Sequence, residues 1–171
     1  MILSRAEVAA TLHKAARGQG MPLGHTDIFV AACLRGLAMR KDFADAVTRA
    51  MTGPFDCVET RVALAGPLAI DALICGEDAV ALPILDAAEV LEPIAINAFE
   101  INDLCIEVHV KDEGCVLHRT ETPPADAPTT GPLNIPADAW ALWQDWAALT
   151  YVPASEASRL GGAGAGLTDN D

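Results

Sequence analysis

Three side chains between Asn102 and Arg119 have types and spacing that could do chemistry: Glu107, His109 and His118. Leu104, Ile106, Val108 and Val110 alternate with Cys105, Glu107, His109 and Lys111, a period of two that predicts a half-buried strand. KDEG then turns the chain and CVLHR returns beside it. In that register Val110 faces Cys115, Val108 faces Leu117 and Glu107 faces His118, with His109 two residues along on the same face. Two imidazoles and a carboxylate so placed could hold a metal ion with coordination positions left open, or act as an acid and base pair. The plainer reading is a solvent-facing cross-strand pair, because a one-residue slip would separate the three groups.

A second set lies in the ending YVPASEASRLGGAGAGLTDND. Pro153 suits the first turn of a short helix, Glu156 and Arg159 are spaced to pair, and Gly161 or Gly162 can stop it. GGAGAG fits neither GxGxxG nor a P-loop, since no lysine follows. Its glycines nevertheless permit a backbone threaded close to other atoms, exposing amide donors to an anion. Near the start, HKAAR sets His13 and Arg17 on one helical ridge with Lys14 beside them. The helix dipole favours such cations at a C-terminus without any function. In so acidic a chain they could also bind a carboxylate or phosphate, or receive the acidic terminus. Trp140, Trp143 and Trp146, three apart, form one aromatic stripe on a helix, read as core or homodimer contact before sugar platform.

KAARGQGMPLG and TYVPASEASRLGGAGAGLTDND resemble a bacterial family of unknown function, DUF3726. Its members begin with a similar LSxxE helix leading into KAARGxG and end in a similar TYVPASEASRxxGAGAGLxDND. His25 and Thr26 stand where that family tends to have a small-residue and acidic helix start. The resemblance brings no reaction, but it implies an ordered C-terminus carrying a site. On that reading Ser155, Glu156 and Arg159 are hydrogen-bonding and charge groups, while Asp169 and Asp171 are carboxylates acting as acid, base or metal-side groups. Glu156 and Asp169 are the catalytic candidates. Lys14, Arg17, Tyr151, Ser155, Ser158, Arg159, Asn170 and Asp171 are the binding candidates.

The elements that must position these groups begin with a clear helix. Ser4 caps it with Glu7 reaching back, Leu3 and Val8 stand as a hydrophobic staple, Val8, Leu12, Ala15 and Ala16 form its apolar face, and Gly18 stops it. A second helix is predicted from about Thr26, and a third from an Asp42 cap to Gly53 and Pro54. PLAIDALIC and AVALPIL, separated by GED, read as two strands of a hairpin. DAAEVLEPIAINAF reads as a helix broken at Pro93. Residues 120–136 hold five prolines without periodicity and read as an exposed connector. Together these predict an α+β fold in one domain, 1–171: a helical N-terminal part, an antiparallel sheet of four strands with hairpins, a C-terminal tryptophan-rich helix and a glycine-rich acidic segment, 160–171.

Composition narrows the function. With 51% hydrophobic and 20% charged residues, the 171-residue chain can bury one proper core. A net charge of -13 repels a phosphate backbone, which argues against a nucleic-acid partner. No apolar run approaches a membrane span, and Arg5 and Glu7 interrupt any signal region after Met1, so a cytoplasmic setting is expected. Cys33, Cys57, Cys75, Cys105 and Cys115 are irregularly spaced with no CxxC, which reads as reduced thiols serving as small core residues. The expected function is binding or processing of a small polar metabolite at the C-terminal segment. The alternative is a homo-oligomeric accessory or interaction protein without catalysis.

Overall fold

The computed structural model describes residues 1–124 and 130–150. Helix α1 (Arg5–Gly18) follows a two-residue strand, β1 (Ile2–Leu3), and starts with the predicted capping box. Ser4 Oγ accepts from the Glu7 amide at 3.2 Å while Glu7 Oε2 accepts from the Ser4 amide at 2.9 Å. The chain leaves the helix at Gly20, whose φ of +90° only glycine adopts readily. Helix α1 ends at Gly18 as predicted, and Gly18 has a second duty. A Cβ there would lie 2.0 Å from the carbonyl oxygen of Trp146, so its absence lets α1 close onto α6 (Ala137–Ala148).

Helix α2 (Leu23–Met39) starts three residues before the predicted Thr26 and packs against α1. At Gly36 a Cβ would stand 2.1 Å from the Phe43 ring, so the glycine makes room for the start of α3 (Phe43–Met51). Asp42 does not cap α3 as predicted. Its backbone, at φ -94° and ψ 5°, lacks the extended shape a cap requires, and its carboxylate accepts from Arg40 Nε at 3.4 Å instead.

The main correction concerns PLAIDALIC, which forms no strand. It belongs to α4 (Val62–Ile74), buried from Val62 through Pro67 and again at Ala69, Ile70 and Leu73. A helix buried nearly all round shows no 3.6-residue stripe, and Gly66 and Pro67 mimic a break, so Leu68 onward reads as alternation. The missing cap is supplied from afar. Asp86 Oδ1 accepts from the Val62 amide and Oδ2 from Arg61 Nη1, both at 3.0 Å. The Asp86 amide donates to the Thr60 carbonyl at 3.1 Å.

AVALPIL does supply a strand, β2 (Ala79–Leu82). A 3₁₀ turn (Ala88–Val90) then leads into α5 (Leu91–Asn102), so the predicted stretch is helical but is not broken at Pro93. Pro93 sits in the first turn of α5, where its missing amide removes no intrahelical bond. Strands β3 (Ile106–Lys111) and β4 (Gly114–Arg119) form the predicted hairpin. The sheet has three strands, in the antiparallel order β2-β4-β3, instead of four. Its inner face sets Val80, Leu117 and Val108 in one row, with Leu117 fully buried.

Part of the predicted exposed connector is core. Strand β5 (Leu133–Asn134) pairs with β1, and Leu133 and Ile135 are buried; residues 125–129 lie outside the described residues. Trp143 is completely buried and its Nε1 donates to Thr48 Oγ1 at 3.0 Å; Trp140 is buried and Trp146 packs partly buried against the core. The aromatic stripe is thus core packing. The architecture is α+β, and among the described residues no helix is long and apolar enough to cross a membrane.

Replacing Asp86 by Ala removes the α4 cap and the half-buried pair with Arg61 together, and is expected to cost about 2 kcal/mol in urea unfolding. Asp86→Asn keeps the cap acceptor and should recover most of that loss; equal loss in both variants would locate the effect in charge alone.

Candidate functional site

The hairpin brings its three candidates together in the register predicted from spacing. Glu107 pairs with His118, Val108 with Leu117 and Val110 with Cys115. Gly114, at φ +142°, closes the turn, and a Cβ there would stand 2.3 Å from the Leu82 carbonyl oxygen. His109 Nε2 lies 3.4 Å from Glu107 Oε2, and the His109 and His118 rings meet edge-on with centroids 5.5 Å apart. All three groups are exposed on the outer sheet face, beside the small side chains of Ala79 and Ala81. Among the described residues, no group of three or more His, Cys, Asp or Glu is arranged to hold a metal ion. A metal role for Glu107, His109 and His118 therefore rests on proximity alone.

Where β3 forms the sheet edge, it borders a cleft of about 420 Å³ closed by α5 and the end of α2. The apolar lining includes Ile96 and Ile106, both buried, together with Val108. Its charged lining is Glu89, Glu92, Glu107 and Arg40. Glu89 is held by Arg49 Nη2 at 2.6 Å, and Arg40 lies against Asp42. Hydrogen bonding to Arg40 lowers the Asp42 carboxyl below its ordinary range, first through the side chain. Among the described residues Glu92 has no ion-pair partner, so its charge is available to whatever enters the cleft.

The other candidates divide in two. Lys14 and Arg17 project from the exposed face of α1, Arg17 in its last turn where the helix dipole favours a cation, and His13 Nδ1 lies 3.5 Å from Asp27. Tyr151, Ser155, Glu156, Ser158, Arg159, Asp169, Asn170 and Asp171 lie outside the described residues, as does the segment 160–171.

Sequence reasoning passed over a buried polar group. Arg35 of α2, 7% exposed, donates from Nε to Asn97 Oδ1 at 2.8 Å and from Nη2 to Glu100 of α5. The signal was available: an arginine flanked by Val30, Cys33, Gly36 and Leu37 sits inside an apolar helical face, where charge is not left without a partner. Nothing comparable pointed to the cleft, because Glu92 and Glu107 meet only through packing of α5 on β3.

All five cysteines are free, but not all are core. Cys33 and Cys115 are buried, while Cys57 and Cys75 are exposed in the α3–α4 connection and just beyond α4. Burial raises the Cys33 thiol well above its ordinary value and Cys115 in the same direction. Hydrogen bonds from Thr60, side chain first and backbone second, lower the Cys57 thiol. Compared with known proteins, the chain matches no family model, no curated protein and no solved structure.

A lowered pKa enlarges the thiolate fraction near neutral pH. Iodoacetamide labelling followed by peptide mass analysis should therefore modify Cys57 first and Cys75 more slowly, with Cys33 and Cys115 labelled only after denaturation.

Proposed function

We propose that the chain binds a small metabolite carrying a cationic amine, held in the cleft between β3, α5 and the end of α2. The observation that carries this reading is an apolar lining edged, among the described residues, by the carboxylates of Glu89, Glu92 and Glu107 against one cation, Arg40. Aliphatic walls accept the body of such a ligand, and a few placed charges orient it. His109 lies 3.4 Å from Glu107 and could pass a proton there. The reading keeps the small polar ligand expected from sequence and moves its site to the sheet edge. Catalysis at Glu156 or Asp169 stays a proposal resting on the DUF3726 resemblance.

Thermal shift and calorimetry with putrescine, spermidine and agmatine test this binding. At least one amine should bind saturably, and Glu92→Gln with Glu107→Gln should weaken it about tenfold or more, as loss of hydrogen bonds to charge implies. Unchanged affinity in that double variant would overturn the cleft assignment.

One observation favours the second reading, a homo-oligomer. Among the described residues the far edge of the sheet, β2, has no further strand beside it, and it borders a groove of about 510 Å³ lined by Val58, Leu68, Leu82 and Pro83, with Glu59 the one charged residue there. Leu68 is 50% exposed and Val58 45%. Edge strands of this kind pair readily with a second copy unless charge or proline guards them. Light scattering at micromolar concentration should then show a dimer that Leu68→Lys dissociates; a monomer throughout removes the reading.

A further inference from the structure

The amine cleft does not end at Glu89. A second cavity of about 470 Å³ shares Ala88, Glu89 and Val110 with the cleft, so the two adjoin along the 3₁₀ turn and the end of β3. Its own lining adds Ile84 and Lys111. Val110, common to both cavities, follows Val108 on the inner face of the sheet yet is 60% exposed, and Ile84 is 65% exposed. Together they offer open apolar surface that the aliphatic body of a ligand can cover.

Most charges around the two cavities are already committed. Glu89 is held by Arg49 Nη2, while Arg49 Nε donates to the Asp86 carbonyl. The Asp86 carboxylate takes the Val62 amide and the Arg61 guanidinium. Two charges are left over. Among the described residues Glu92 pairs with no cation, and Lys111 pairs with no carboxylate, not even with Asp112 or Glu113 of its own turn. An uncommitted anion therefore lines one cavity and an uncommitted cation the other, with Val110 lining both. Glu107 and Lys111 are four residues apart on β3, which sets their backbones about 13 Å apart along the strand. An extended amino acid of about six carbons, with a hydrogen bond of about 2.9 Å at each end, bridges a gap of that order.

We propose that the ligand of the cleft is an ω-amino acid whose ammonium meets Glu92 and Glu107, whose aliphatic chain lies over Val110, and whose carboxylate meets Lys111. This rests on the amine reading of the cleft and narrows it to amines that carry an anionic far end. One lysine matches the single charge of a carboxylate, whereas a doubly charged phosphate would also face Glu89 and Asp86 in the same cavity.

Calorimetry on the full chain can compare ε-aminocaproate with n-hexylamine, which has a methyl group in place of the carboxylate. Both should bind saturably, and ε-aminocaproate about tenfold or more tightly. Lys111→Met, at an exposed position, should keep the native circular dichroism spectrum and bring the two affinities within about threefold of each other; Lys111→Arg should retain the preference. Binding of n-hexylamine with no preference for ε-aminocaproate, or a preference that Lys111→Met leaves intact, would overturn the contact at Lys111 while the amine cleft stands. Absence of saturable ε-aminocaproate binding would overturn it as well, and putrescine titrated in the same series then shows whether the cleft survives.

Discussion

Asp86 ties together by polar contacts three parts of the chain that also share the apolar core. Its two carboxylate oxygens take the first amide of α4 and the Arg61 guanidinium, its amide reaches Thr60, and its carbonyl accepts from Arg49 Nε of α3 at 3.3 Å. The Arg61 and Asp86 side chains are each only 17% exposed, so water does little to weaken their pairing. Through this residue the start of α4, the body of α3 and the link from β2 to α5 are set relative to one another. The sheet then has a floor to lie on, and α5 a track along which to cross it.

From that placement the two polar regions follow. Helix α5 presents Glu92 toward the β3 edge and Asn97 and Glu100 toward α2, so one helix contributes to both an acidic cleft and the bonding of the buried Arg35. The regions differ in character: among the described residues carboxylates outnumber cations in the cleft lining, whereas between the helices the Arg35 guanidinium is matched by the Glu100 carboxylate and the Asn97 amide oxygen.

Close approach is the second theme of the packing. Glycine at 18, 36 and 66 removes side-chain bulk where the Trp146 carbonyl, the Phe43 ring and the Ile94 side chain come nearest. In an aromatic-poor chain the interior is built mainly of Ala, Val, Leu and Ile, and small residues let helix backbones draw together to fill space. Trp143 is the largest of the fully buried side chains, and its indole nitrogen donates to Thr48 Oγ1.

Local chemistry made some features legible in the chain itself. The Ser4 and Glu7 box, the period of two in β3 and the register of its hairpin with β4 each depend on residues a few positions apart, and each is present. Features that depend on distant residues were not legible. The cap of α4 lies 24 residues away in the sequence, β5 gains strand character only by pairing with β1, and a helix buried on nearly every side loses the stripe that would announce it. The cleft and the bonding of Arg35 belong to this second kind. Glu92 and Glu107, or Arg35 and Asn97, come into one region only when helices and sheet pack, because Coulomb attraction and desolvation act through space, and sequence spacing carries no information about distances set by tertiary contact.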